Sequence, residues 1–382
     1  MDYLKEYKEI APYEGQEFID AIERLIDYDK LKKNLASVIF SGSLISTYKL
    51  SWHFRRNLPD DLAKITNYTD FQKIFTCNYV LNTIEENSIN KFTFSGIEKI
   101  LEKKAYLFIS NHRDIVLDCA LLDYALEKSG KGLCEMCFGD NLLVNQLATD
   151  LLKCNGGITV KRKMPAKELM QSSKILSSYI EYCITEKIRS VWIAQKSGRS
   201  KDGIDNTSTA ILKMIYLNSR KNKVPFNEMV KKMNIVPVSI SYQYDPCDIS
   251  KGREQIHKLK HAGAYKKAKY EDVLHMLKGL RQNKGNVHIA FGDILRDDYE
   301  SPVDCAREMD RQIHLNYKLW NTNYFAYDYV NGTKTFQKEY QDLNVDEFLG
   351  RYSNTKEEIK DYVLNTYANP VVSKLKEEGL SN

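Results

Sequence analysis

Ala105-Tyr106-Leu107-Phe108-Ile109 runs directly into Ser110-Asn111-His112-Arg113-Asp114-Ile115-Val116-Leu117-Asp118, and this stretch decides the fold. The apolar run reads as a buried strand. After Asp118 the apolar pattern resumes with the spacing of a helix. A strand that ends in one histidine and two carboxylates and then turns into a helix fits an open α/β sheet. Such sheets gather their chemistry at the carboxyl ends of strands. An imidazole held there by a carboxylate is a general base near neutral pH. The plainer alternative is a histidine that caps the following helix and satisfies backbone groups.

Asp114 and Asp118 compete as partner of His112. On one continuous helix the six positions from His112 to Asp118 amount to about 600° of rotation, which points the two side chains apart. They meet only if His112 sits in the turn and Asp118 starts the helix. Asp118 is favoured because the helical pattern resumes right after it, and Asp114 stays the rival.

The rest of the chain sets the frame. Of its 382 residues, 43% are apolar and 28% charged, as expected of a folded globular protein. Its 25 tyrosines against 3 tryptophans suit half-buried surfaces and interfaces. Eight scattered cysteines and a polar start, Met1-Asp2-Tyr3-Leu4-Lys5-Glu6, point to free thiols in a reducing compartment. The most apolar segment, Leu35 to Leu50, is interrupted by Ser, Gly, Thr and Lys, so a buried or interfacial helix is expected there rather than a membrane span. The net charge of +5 does not call for nucleic acid, and no aromatic-basic module appears. It suits an anionic membrane surface or a phosphate-bearing substrate.

Three regions follow from the periodicity. Residues 1–90 read as a helical extension, with Phe18, Ile19, Ile22, Leu25 and Ile26 on one face and a break at Asn57-Leu58-Pro59-Asp60-Asp61. Residues 91–300 alternate. Strands are expected at Ala105–Ser110, Leu133–Phe138, Gly157–Val160, Ser190–Gln195, Ile235–Tyr242 and Asn286–Gly292, with a clear helix over Pro165–Ile188. Residues 301–382 read as a second helical, aromatic extension. The fold class is therefore α/β, with a mostly parallel central sheet flanked by helices.

Three further stretches follow strand candidates. Asn155-Gly156-Gly157-Ile158-Thr159-Val160-Lys161-Arg162-Lys163 combines glycines with positive charge at a strand end. Gln195-Lys196-Ser197-Gly198-Arg199-Ser200-Lys201-Asp202-Gly203 is a glycine-punctuated basic turn, suited to presenting a guanidinium fork to a phosphate. Ile235-Val236-Pro237-Val238-Ser239-Ile240-Ser241-Tyr242 is a strand whose proline suggests an edge or a bulge.

The order of these blocks, His-Asp, then Gly-Ile-x-x-x-Arg, then Gly-Arg-Ser, then Val-Pro-Val, resembles the four sequence blocks of the glycerolipid acyltransferases, which act on glycerol-3-phosphate and lysophosphatidate. The resemblance covers roughly residues 91–300. Arg199-Ser200-Lys201-Asp202-Gly203 and the Pro237 strand lean toward the glycerol-3-phosphate branch. Gly139-Asp140-Asn141-Leu142-Leu143 also resembles bacterial members of unassigned acceptor.

The resemblance implies roles for single residues. His112 would be the base on the acceptor hydroxyl, oriented by Asp118 or Asp114. Arg162 and Arg199, with the turn Gly198, Ser200 and Lys201, would hold the acceptor's phosphate, and Pro237 would shape the acyl or thioester site. It implies an acyl-CoA or acyl-carrier-protein donor as co-substrate, a glycerolipid or lysolipid acceptor, and no cofactor, metal or nucleic acid. The location it implies is peripheral, on the cytoplasmic face of the membrane. Two departures stand out. The family places four residues between its His and Asp, where five separate His112 from Asp118, and Lys196-Ser197 stand where it usually has Glu before Gly198. An acceptor built on an amino-acid lysolipid, or a lipid-binding protein on a degenerate fold, are the competing expectations. Cys134 and Cys137 lie on opposite faces of a strand and so suit neither metal nor redox chemistry. The remaining histidines show no metal-ligand spacing, and the basic run from Lys251 to Lys269 reads as a solvated face able to rest on an anionic bilayer.

Overall fold

The computed structural model describes residues 3–27, 64–162, 164–268 and 270–380. The Leu35–Leu50 segment, the Asn57–Asp61 break, Lys163 and Lys269 lie outside the described residues. Seven strands form one sheet: β1 (Lys91–Ser95), β2 (Leu107–Ser110), β3 (Cys134–Gly139), β4 (Gly157–Val160), β5 (Ser190–Ala194), β6 (Ile235–Tyr242) and β7 (Asn286–Phe291). Their order is β1-β7-β6-β2-β5-β3-β4. Every neighbouring pair is parallel except β6 with β7. The mostly parallel sheet expected from the alternating pattern is thus present.

Alternation along β2 explains why the sheet is covered on both faces. Phe108 points into one apolar cluster with Trp192, Val236 and Ile240. Leu107 and Ile109 point into another with Val191, Ile193 and Ile235. The first face is covered by helix α2 (Leu117–Lys128) and a π-helix (Phe71–Leu81), through Leu121, Leu122, Phe71 and Phe75. Helix α1 (Gly15–Asp27) joins that layer through Phe18, Ile22, Leu25 and Ile26, while Ile19, expected on the same face, turns to solvent. The second face is covered by α4 (Ala166–Thr185), through Leu176 and Ile180. Helix α3 (Gln146–Cys154) precedes β4. Cys134 belongs to the first cluster and Cys137 to the second, and all eight cysteines are free.

Beyond β6 the chain makes an excursion through α5 (Asp248–Lys260) and α6 (Glu271–Arg281) before returning as β7. Helices α7 (Pro302–Asn316), α8 (Asn321–Asn331) and α9 (Glu357–Glu377) follow. Phe325, Phe348, Tyr352, Val363 and Tyr367 form a third cluster there, against Ile249 and Ile256 of α5. No described helix is long and apolar enough to cross a membrane.

Two elements depart from expectation. Strand β1 escaped the sequence reading because only Phe92 and Phe94 mark it. It is an edge strand whose two phenylalanines pack on the core while Lys91 and Ser95 are exposed. Pro237 suggested an edge or a bulge, yet β6 is central, between β7 and β2. Pro237 pairs with Ile109, and its carbonyl accepts the N–H of Gly292, one residue past the end of β7. Its missing N–H therefore falls where the β7 ladder has already ended, which is why a central strand tolerates it.

Phe108 is fully buried between α2 and the sheet. Phe108→Ala is expected to cost about 3–5 kcal/mol of stability, read from the midpoint of urea unfolding at unchanged slope.

Candidate active site

Strands β2, β3, β4 and β5 run parallel, so their carboxyl ends share one edge of the sheet. The polar loops that follow them open on one pocket. Ile115, Val116, Cys119, Phe138, Leu142 and Trp192 give it an apolar lining, and Arg162, Arg199 and Lys201 a basic one, with His112 on the same pocket.

His112 lies in the turn after β2, and Asp118 is in the first turn of α2. This is the arrangement that lets a six-residue separation close. His112 Nδ1 lies 2.8 Å from Asp118 Oδ2. A carboxylate only accepts, so Nδ1 carries the proton and Nε2 is left as the basic nitrogen. The same Oδ2 accepts the backbone N–H groups of Arg113 at 2.5 Å and Asp114 at 2.9 Å. The other oxygen, Oδ1, accepts the Tyr242 hydroxyl at 2.8 Å. Trp192 meets the imidazole edge-on, with ring centroids 5.8 Å apart, and its Nε1 donates to Ser110 Oγ.

Asp114 does different work. Its Oδ1 accepts the N–H groups of Val116 and Leu117 and so caps the start of α2. Burial first, then the neighbouring Asp118 charge, push its carboxyl above the ordinary range. The two aspartates that compete in sequence are thus a histidine partner and a helix cap.

The remaining predicted residues divide. Arg162 follows β4, packs its guanidinium over Gly139 and is an exposed part of the pocket lining. Gly198 sits at φ +80°, a left-handed turn that favours glycine. Arg199 is nearly buried, with Nη2 2.9 Å from His275 Nδ1. Ser200 does not line the pocket. Its N–H donates to the His112 carbonyl at 2.6 Å, tying the third block to the first. Lys201 lines the pocket and pairs with Glu254 at 2.5 Å. Pro237 lies inside the sheet, away from the pocket lining. The fourth block reaches the site through Tyr242 instead.

Behind the site lies a buried charge layer that sequence reasoning missed. Arg113, 2% exposed, donates to Asp205 Oδ2 at 2.6 Å and to Asp245 Oδ2 at 3.1 Å. Lys251 completes the layer on Asp245. Burial pushes the Asp205 carboxyl up, but Arg113 and the amide of Asn111 outweigh it and hold Asp205 below the usual range. The signal available in sequence was the invitation of Arg113 itself, a cation in a strand-end turn whose partners lie 92 and 132 residues away.

The basic turn is also braced from α9. Thr366 Oγ1 donates to the Lys201 carbonyl at 3.1 Å, and Asn369 Nδ2 to the Asp202 carbonyl at 2.6 Å. Gly203, at φ +79°, approaches so closely that a Cβ would lie 2.2 Å from the Thr366 carbonyl oxygen. Among the described residues no cluster of His, Cys, Asp and Glu could hold a metal ion.

Removing one member of the buried layer strands a charge. Arg113→Ala is expected to cost about 3–5 kcal/mol in denaturant unfolding, because it leaves Asp205 buried without its cation.

Comparison with known proteins gives one family match. The family described as Acyltransferase matches residues 91–241, from β1 almost to the end of β6. No curated protein matches the chain. Among solved structures, the 1-acyl-sn-glycerophosphate (LPA) acyltransferase PlsC from Thermotoga maritima is similar at a TM-score of 0.38 and 10% identity, over 78% of this chain and 91% of that one. The signal recognition particle receptor FtsY from Elizabethkingia anophelis, in complex with GDP, is similar at a TM-score of 0.22 and 11% identity, over 74% and 85%. Likenesses at such scores carry no argument, and the weight falls on the family match to the residues that build the pocket. What the comparisons show of this chain is an acyltransferase match over residues 91–241, the stretch that carries His112, Asp118, Arg162 and Arg199.

Proposed function

We propose that this acyltransferase moves a fatty acyl group from an acyl-CoA or acyl-carrier-protein thioester to a hydroxyl of glycerol-3-phosphate or 1-acylglycerol-3-phosphate. The observation that carries the reading is His112 held on Asp118 at 2.8 Å, in a pocket lined by both apolar and basic side chains. His112 Nε2 takes the proton of the acceptor hydroxyl as its oxygen attacks the thioester carbonyl carbon. The tetrahedral intermediate collapses with cleavage of the C–S bond, and the imidazolium returns its proton to the leaving thiolate. No acyl-enzyme forms. Arg162 and Arg199 hold the acceptor's phosphate, Arg199 through an Nη1 that is buried without a partner among the described residues. The acyl chain lies along the Ile115, Val116 and Phe138 side of the pocket.

The same reading places the protein peripherally, on the cytoplasmic face of an anionic membrane. Residues 251–281 carry nine Lys and Arg against three Asp and Glu, though Lys251, expected on a solvated face, is buried on Asp245 and adds nothing to the exposed charge. Leu259 and Leu274 of this excursion are 72% and 62% exposed, and its Lys267 lines the pocket. Cationic and apolar groups together favour an anionic bilayer over water.

Purified full-length protein is expected to acylate glycerol-3-phosphate or lysophosphatidate in the presence of acyl-CoA or acyl-carrier protein. His112→Ala and Asp118→Asn are each expected to lower kcat by about 10²–10⁴. Full activity in His112→Ala, or no product from any acceptor, refutes the reading. Arg199→Ala is expected to raise the acceptor KM. If it does not, the acceptor lacks a phosphate, as an amino-acid lysolipid would. Replacing Lys258, Lys260 and Lys266 by Gln is expected to weaken binding to phosphatidylglycerol vesicles up to about a hundredfold, at ~1 kcal/mol per cation, in a sedimentation assay at low salt.

A further inference from the structure

Helix α6 lies beyond the family-matched residues, yet its Asp272 lines the pocket and one of its faces meets residues of the site. Positions 272, 275 and 279 fall on that face by helical spacing. Asp272 Oδ2 accepts Asn141 Nδ2 at 2.9 Å. His275 Nδ1 meets Arg199 Nη2 at 2.9 Å. Gly279 sits so close to Asp114 that a Cβ would fall 2.1 Å from its Oδ2. From the turn between β6 and α5, Cys247 Sγ donates to the His275 carbonyl.

The Arg199–His275 contact has one chemically allowed polarity. A guanidinium has only donors, so Nδ1 of His275 must be the acceptor, and its ring proton sits on Nε2. One amine of Arg199 is thereby anchored, while Nη1 is buried without a partner among the described residues, in a side chain that lines the pocket. An unanchored arginine would lose several rotatable bonds on binding an anion, whereas an anchored one presents its free amine already aimed.

We propose that His275 is a positioning residue for acceptor binding, which holds Arg199 by one amine so that the other meets the anionic group of the acceptor. The inference rests on the reading of Arg199 as the phosphate-binding arginine. It also gives acceptor binding a pH dependence. Burial first, then Arg199 and Lys278, disfavour protonated His275, while Glu271 and Asp272 favour it, and the balance lies below the ordinary histidine value. The contact is therefore intact above that titration and is lost as pH falls through it, when two cations would face each other.

Steady-state kinetics of the full chain with acyl-CoA and glycerol-3-phosphate or lysophosphatidate test this. His275→Ala is expected to raise the acceptor KM about tenfold and to leave the donor KM within about twofold. His275→Gln, whose Oε1 can accept from Arg199 but does not titrate, is expected to restore the acceptor KM. It is also expected to abolish the acid-side rise in acceptor KM seen in the unaltered protein. If Arg199→Ala raises the acceptor KM but His275→Ala does not, or if His275→Gln keeps the full acid-side rise, the positioning role is overturned and the phosphate reading stands. If Arg199→Ala leaves the acceptor KM unmoved, both fall. Should His275→Ala fail to fold, the pH profile of His275→Gln decides alone.

Discussion

The site depends on one buried carboxylate. Asp118 is removed from water, and an ionised carboxylate in that position is tolerated only when its oxygens are occupied by donors. Four donors meet the requirement: the imidazole of His112, two backbone N–H groups of the turn after β2, and the hydroxyl of Tyr242 at the end of β6. That one condition fixes the turn, the ring and the neighbouring strand together. It also accounts for the long spacing between His112 and Asp118. The backbone of the turn wraps around the carboxylate, and the extra residue is absorbed in that wrapping rather than in the helix.

Beneath the turn a second layer of charge sets its height above the sheet. Arg113 follows His112 directly and is tied to Asp205 in the basic-turn segment and to Asp245 after β6. Buried ion pairs add little net stability, because desolvation offsets most of their attraction, but they penalise any arrangement that separates their members. Here the members come from three segments that must converge for the pocket to exist. Asn111 bridges the same layer to the sheet, taking Asp205 and the backbone of Ile240 with one side-chain amide.

Much of this was legible in sequence because it is local. Strands β2, β4, β5 and β6 announce themselves as apolar runs, and the four blocks sit at their ends. The choice between Asp118 and Asp114 needed only the point where helical periodicity resumes. What stayed hidden is of three kinds. Strand β1 is half solvent-facing, so its two phenylalanines are too sparse to mark it. Pro237 reads as an edge signal in any strand, and only the early end of β7 makes it harmless in a central one. Tyr242, Asp205, Asp245 and His275 act through partners 76 to 132 residues away, and nothing in their own surroundings distinguishes them from ordinary polar residues.

The brace that α9 applies to the basic turn carries a consequence for how the molecule is made. Thr366 and Asn369 hold the backbone of Lys201 and Asp202 across 165 and 167 residues of chain. Synthesis at 5–20 residues per second separates the two partners by roughly ten to thirty seconds. During that interval the turn exists without the helix against which Gly203 packs, and its cations have no fixed geometry. The strands that carry His112 and Asp118 can therefore be assembled on the ribosome well before the basic turn acquires its final shape, so a nascent chain holds the imidazole–carboxylate pair without yet holding the finished lining of the pocket.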